Sequence, residues 1–222
     1  MSNFISTIQK GWWSFGLPGY RPRTSTYDLY SYHELPDLNL DFDNDFSWLR
    51  AQSSKKHSVA EDTYPTGEKL DLSRIEDFEK DRKINLPRDF VLFIRDVNLH
   101  AKVRSCTDCY LELSDFAVMT LGSEDGFLIH FLSDSQYVLH WFLYLGLNNE
   151  HCVLVSRNPY GVQGLDIPKS IDVQTEPIWF CAPSFKEFIY RFWLENEIWF
   201  TLVDKDRSLT SIEQSYLEHY SK

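Results

Sequence analysis

FLIHFLSDSQYVLHWFLYL, residues 127–145, is the stretch that decides the fold. Two runs rich in aromatic and branched residues, 127–132 and 138–145, flank Ser133-Asp-Ser-Gln136, a set of turn formers, and this is the pattern of an antiparallel hairpin. Both alternating faces of the first run are apolar, Phe127, Ile129 and Phe131 on one and Leu128 and Leu132 on the other, so it reads as a central strand covered on both sides. Outward from the hairpin, 108–121 (DCYLELSDFAVMTL) and 152–156 (CVLVS) are further short apolar runs bounded by Asp, Gly, Ser or Asn. Together they predict a mostly antiparallel meander. Helices must supply its cover.

The helix signals lie on either side of the meander. Ser73-Arg-Ile-Glu76 reads as a capping box, and Leu72, Ile75 and Phe78 follow helical spacing, which predicts a helix to about Lys83. A second helix starts at Pro87, a favoured first-turn residue, with Phe90, Val91, Ile94 and Val97 as its stripe. After the strands, Ser184-Phe-Lys-Glu187 is another capping box behind Pro183, and Phe185, Phe188, Ile189, Phe192 and Trp193 recur at i, i+3, i+4, i+7 and i+8. A last helix runs from Ser208 or Thr210 to His219, with Ile212, Tyr216, Leu217 and Tyr220 as its apolar face. This order predicts an α+β class: a mostly antiparallel central sheet flanked by helices. Residues 70–202 are the main domain and 203–222 its C-terminal helix. Residues 1–69, rich in turn formers and aromatics, should wrap the core within one structural unit, with 50–66 as the most mobile stretch.

Composition bounds the function. The 222 residues carry 22 Lys+Arg against 33 Asp+Glu, a net charge of −11, which disfavours a nucleic-acid binder because phosphate contacts need a clustered basic surface. A 43% hydrophobic fraction excludes whole-chain disorder. The densest apolar stretch, 137–147, falls short of the roughly 20 residues of a membrane span. The first 20 residues lack the basic start and unbroken apolar core of a secretory signal, so a soluble, cytoplasmic protein is expected. Four cysteines are too few for a disulfide framework in a chain of this size.

Chemistry-bearing motifs are sparse. Neither a phosphate loop, a nucleophile elbow nor a zinc helix occurs. Cys106-Thr-Asp-Cys109 has the spacing of half a zinc site without a second half, so buried thiols and no metal are expected. Asp41-Phe-Asp43-Asn-Asp45 imitates the start of a calcium loop, but Phe46 stands where a Gly is needed and Gln52 where a bidentate Glu is needed. The same residues belong to the most one-sided charge in the chain: from Glu34 to Asp45 there are five carboxylates and no Lys or Arg. Asp37, Asp41, Asp43 and Asp45 are therefore the candidate partner-binding residues. His130 and His140 lie on the two arms of the hairpin. An odd loop centred on Ser135 would set them opposite each other, where with Asp125 or Asp134 they would make a catalytic or metal cluster, and an even loop would separate them; hydrogen-bonded core or edge histidines are the expected reading.

The run from Ile75 to Asn98, with Leu86-Pro87-Arg-Asp-Phe90 followed by Phe93 and Asn98, resembles the helix-LP-x-D-[YF]-x-x-F-helix opening of the SMI1/KNR4, or SUKH, superfamily. His140-Trp141 with Leu143-Tyr144, the Val153-Leu-Val-Ser156 strand, and Ala182-Pro183-Ser184-Phe185 through Tyr190-Arg-Phe-Trp193-Leu-Glu-Asn196 extend the likeness over about 70–202. The resemblance implies a sheet flanked by helices and a binding module with no catalytic residue or cofactor. Most bacterial members are thought to be immunity proteins that bind and neutralise a cognate toxin, and fungal relatives are regulatory interaction proteins. The expected function is thus a cytoplasmic immunity-type protein that occludes a toxin, plausibly a basic nuclease steered by the acidic surface. The alternatives are a regulatory or scaffolding module, and a hydrolase using His130 and His140.

Overall fold

Residues 5, 7–38, 45–60, 70–82, 84–114, 118–121, 126–146, 149–161, 170–172 and 176–221 are described by a computed structural model. A small antiparallel ribbon pairs β1 (Gly11–Ser14) with β2 (Asp28–Ser31). The main sheet runs in the order β8 (Ser170–Asp172), β4 (Val118–Leu121), β5 (Gly126–Ser133), β6 (His140–Gly146), β7 (His151–Ser156), β9 (Ile178–Ala182), with β3 (Tyr110–Leu111) beside the far end of β5. All its pairings are antiparallel except β4 with β8. The class is α+β, as the hairpin and its flanks predict.

Every residue of β5 and β6 is buried, so both faces of the sheet are covered. One face, with Phe127, Ile129, Phe131, Trp141, Leu143 and Val153, packs on Phe185, Phe188, Ile189 and Phe192 of α5 (Phe185–Asp204) and on Phe90, Phe93 and Ile94 of α3 (Arg88–Arg95). The ring of Phe131 stands edge-on to both Phe185 and Phe188, with centroids 5.2 and 5.5 Å away. Helices supply that cover. The opposite face, with Leu128, Phe142, Tyr144, Cys152 and Leu154, packs among the described residues on the helical Ile5 and on Tyr160 of a turn.

A β-bulge interrupts β5. His130 pairs with Phe142, Leu132 with Trp141 and Ser133 with His140, leaving Phe131 as the extra residue. Phe131 and Leu132 therefore both join the helix-side core, and Ser133 falls to the same face as His130 and His140.

The helix ends differ from their expected caps. In α2 (Ser73–Arg82), Ser73 is already helical: its N–H goes to Asp71 Oδ1 at 2.9 Å, and Glu76 pairs with Arg95, so no capping box forms there. Leu72 and Ile75 are buried as predicted; the Phe78 side chain lies outside the described residues. Helix α3 follows Pro87, but Asp96 ends it and accepts from Asn98 N at 3.1 Å to cap α4 (Val97–His100). That restart turns Val97 outward, 47% exposed, and Phe93 takes its place in the core. Ser184 caps α5, with Glu187 N–H donating to Ser184 Oγ at 3.2 Å, whereas the Glu187 carboxylate takes the Tyr32 hydroxyl at 2.8 Å. The full reciprocal box stands on α6 (Ser211–Glu218), where Thr210 and Glu213 satisfy each other.

The aromatic N-terminal ribbon docks at the β9 edge: Phe180 N–H donates to Gln9 O at 2.9 Å, and Trp13 meets Trp179 edge-on at 5.2 Å. Residues 51–60 are better anchored than their composition suggests. Val59 is buried and exchanges backbone hydrogen bonds with Val103 and Leu111. Residues 61–66 of the stretch expected to be mobile lie outside the described residues.

The middle of α5 buries three consecutive polar residues. Glu195 takes Arg21 through both terminal nitrogens, 2.6 and 2.7 Å, and also accepts from Trp12 Nε1, Ser14 Oγ and Tyr216 OH. Burial alone would raise its pKa, yet Arg21 and these donors hold it below the usual carboxylate range. Asn196 Oδ1 accepts the Cys106 N–H at 2.7 Å, and Glu197 takes Arg104 at 3.0 Å. Each residue thus ties a distant segment to one helix.

Candidate functional site

The two described residues of the acidic strip have different settings. Asp37 is exposed at the edge of a cavity of about 240 Å³ between α5 and α6, walled by Leu38, Tyr190, Leu194, Ile212 and Tyr216. Arg191 fixes its floor, donating to Pro36 O at 3.1 Å and to Tyr216 OH at 3.0 Å. Ile212, expected on the buried stripe of the last helix, sits at this rim and is 52% exposed, because only Tyr216 and Leu217 of that stripe turn fully inward. Asp45 serves locally: its Oδ1 accepts from Ser47 N at 3.0 Å at the start of α1 (Ser47–Arg50). Asp41 and Asp43 lie outside the described residues, as does most of the calcium-like run.

The histidines meet by neither expected register. Ser133, delivered by the bulge, stands between them: its Oγ is 3.0 Å from His130 Nε2 and 3.0 Å from His140 Nδ1, and the rings are 5.5 Å apart. Ser133 Oγ–H donates to Glu112 Oε2 at 2.9 Å. The imidazole nitrogens on either side are then N–H donors, His130 Nε2 also reaching Leu132 O at 3.0 Å. His130 Nδ1 and His140 Nε2 are buried acceptors with no hydrogen-bond partner. Burial pushes His130 down to about 3, helped by the charge of His140, and His140 down to about 4. The cluster is a neutral pair locked through one serine, and Ser133 is fully buried, so no substrate atom reaches it without opening the sheet. Asp134, weighed as a third member, is used elsewhere: it accepts the Tyr27 hydroxyl at 2.6 Å and caps the hairpin turn through Gln136 N at 3.0 Å. Asp125 lies outside the described residues.

Cys109 is buried, with Sγ 3.4 Å from both Tyr27 OH and Thr107 Oγ1, and burial raises its thiol to about 11. Burial raises Cys106 too. Among the described residues no group of three or more His, Cys, Asp or Glu is placed to hold a metal ion. Nor, among them, is any helix long and apolar enough to cross a membrane.

Outward from the histidines the polar chain reaches the surface. Glu112, half-buried, also accepts from Tyr137 OH at 3.1 and 3.2 Å and lies 3.4 Å from Tyr110 OH. Tyr137 has a left-handed backbone, φ 57°, at the hairpin tip. It is 43% exposed and its neighbour Val138 41%. Sequence reasoning missed this group, since Glu112 and Tyr110 come from one run and Tyr137 from another with no motif between them. The available signal was an apolar Tyr137-Val138 pair directly after turn formers. Set against family models, curated proteins and solved structures, the chain gives no significant match.

Proposed function

We propose that the protein is a binding module of the SUKH immunity type that neutralises a basic protein toxin by covering it, in the reducing cytoplasm. The observation that carries the reading is the α5–α6 cavity, where the exposed side chain of Ile212 and an apolar wall stand beside the exposed carboxylate of Asp37 in a chain of net charge −11. An apolar anchor point beside a charged rim is what a steered protein contact needs: the charge raises the on-rate and the desolvated centre slows dissociation. The α+β order, with helices bracketing Leu86-Pro87 ahead of a meander and a closing helix, supports the family resemblance.

Co-expression with the product of the neighbouring gene in a bacterial host tests this. The expected result is restored growth and a stable complex on gel filtration, with Ile212→Asp abolishing protection while the fold persists. Unrelieved toxicity with no complex formed, or a neighbouring product without toxicity or affinity, overturns the reading. Full protection by Ile212→Asp moves the contact away from the cavity.

A further inference from the structure

A second surface carries an inference that deepens this reading and rests on it for the protein nature of the occupant. We propose that Glu112, flanked by the rings of Tyr110 and Tyr137, is a receptor for a lysine or arginine side chain of the protein partner.

The first ground is an imbalance of charge. The side-chain partners of the Glu112 carboxylate are all hydroxyls, those of Ser133, Tyr137 and Tyr110. Hydroxyl donors orient a carboxylate and leave its charge in place. The buried carboxylates Glu195, Glu197 and Glu213 each have an arginine instead. Among the described residues no cationic side chain reaches Glu112. Behind it, across Ser133, stand His130 and His140, and among the described residues the acids of the adjoining turns are Asp134, bound to Tyr27, and the exposed Asp108.

The second ground is the walls. Tyr110 and Tyr137 have ring centroids 6.4 Å apart with their planes at 49°, and the carboxylate lies at their hydroxyl ends. Aromatic faces beside a carboxylate attract a cation both through the ring quadrupole and through the full charge, and they repel an anion. Val138 offers apolar surface at the same tip for the methylene stem.

The third ground is preorganisation. A left-handed backbone is costly for a tyrosine and is held here by the turn: Tyr137 N–H donates to Asp134 O at 2.9 Å, while Gln136 N and Val138 N reach Asp134 Oδ2. The turn fixes the backbone, and the hydroxyl bond to Glu112 with the edge contact to His140 at 5.2 Å orients the ring before any ligand arrives, which lowers the entropy lost on binding.

The test uses the full chain labelled with 3-fluorotyrosine and hexa-arginine amide as the probe, followed by fluorine NMR. Saturable shifts are expected at the resonances of Tyr110 and Tyr137, identified through their Phe variants. Glu112→Gln keeps one acceptor oxygen for the Ser133 hydroxyl and removes the charge, and it should weaken binding about tenfold, whereas Asp204→Asn, at an exposed position at the far end of α5, should change it less than about twofold. Tyr110→Leu, which leaves Glu112 and its Ser133 bond intact, should also weaken binding and guards against misfolding of the first variant. Equal weakening by Glu112→Gln and Asp204→Asn would mean general attraction to an acidic protein and would overturn the site. So would unchanged affinity in Tyr110→Leu. Failure to bind hexa-arginine with toxin protection intact sinks this inference alone, and specific binding without any protection sinks the function proposed above.

Discussion

Glu195 and Glu112 are both carboxylates that take serine and tyrosine hydroxyls, and among the described residues only the first also has a cation. Glu195, fully buried on α5, takes a serine, a tyrosine, a tryptophan and both terminal nitrogens of Arg21. Glu112, at the hairpin tip, takes a serine and two tyrosines and no cation among the described residues. A buried ion without a counter-ion costs several kcal/mol, so the interior tolerates Glu195 only because Arg21 closes the charge. At the edge, water does part of that work and the charge can stay open. Glu195 is compensated from within, whereas Glu112 keeps a charge open to a partner; the buried Asp134, held by Tyr27 OH and backbone N–H groups of its own turn, stands between the two cases.

The sharpest way to break this contrast is to open the closed site. Arg21→Met leaves Glu195 buried and uncompensated, and should lower the unfolding free energy by about 3–5 kcal/mol in urea denaturation. Glu112→Gln should change it by less than about 1 kcal/mol. A small effect at Arg21 would mean that Glu195 takes up a proton when its partner leaves, and the distinction between the two sites would collapse.

Acid separates the same regions by pH window. His130 and His140 titrate at about 3 and about 4 in the fold, against an ordinary 6.5, so the unfolded chain binds more protons below that value. Their contribution is complete above about pH 6.5 and declines as pH falls, by up to about 1.4 kcal/mol per pH unit for each histidine. The Glu195 contribution has the same sign and begins to fall only in the carboxylate range, since its folded pKa is depressed. Burial lowers His100 to about 4 as well, so stability measured from pH 7 to 5 should report three histidines, and His140→Asn should reduce that slope by about a third. An unchanged slope would show that the pair is not held neutral.

A third, smaller effect concerns the helix that forms one wall of the α5–α6 cavity. Thr210→Ala removes the hydroxyl that Glu213 N–H donates to, and it should cost about 1 kcal/mol in thermal melts. Glu213 keeps Arg207 at 2.7 Å, so the helix should fray at its start without detaching.

How far these sites were legible depended on the range of their contacts. Helix α5 and the β5–β7 meander were readable because cap, period and turn formers lie within a few residues of one another. The bulge at Phe131 was not: with apolar residues on both faces of β5, the alternation that would pin the register carries no information, and the loop count left open whether His130 and His140 face each other. Ser133 between them is a product of that bulge. The ribbon of β1 and β2 was hidden for another reason, since its strands are joined by a long turn-rich connection with no tight hairpin signal. Glu195, Asn196 and Glu197 look like a solvated polar break in an amphipathic helix, and their burial depends on Arg21, Cys106 and Arg104, which sequence spacing cannot connect to them. Glu112 has the same history. Tyr110 is its neighbour in sequence, but Ser133 and Tyr137 belong to a segment that meets it only in the folded sheet.

The acidic strip offers the smallest effect on stability and the finest test of what an open charge is for. Asp37 is exposed beside the cavity, and Asp45 is exposed but also accepts a backbone N–H at the start of α1. Neutralising Asp37, Asp41, Asp43 and Asp45 to Asn removes four charges and keeps the Ser47 N–H bond, because an Asn side-chain oxygen accepts it as an Asp oxygen does. The melting temperature should therefore hardly move, whereas Asp45→Ala alone should lower stability by about 0.5 kcal/mol through the lost Ser47 N–H bond. Association with the toxin should slow in the fourfold variant and lose much of its salt dependence, since exposed charges act mainly through long-range steering. Dissociation should stay nearly constant, because the desolvated contact is elsewhere. If the fourfold variant instead associated as fast as the wild type at low salt, steering would have to come from the remaining surface, and Glu112 at the hairpin tip would be the next charge to remove.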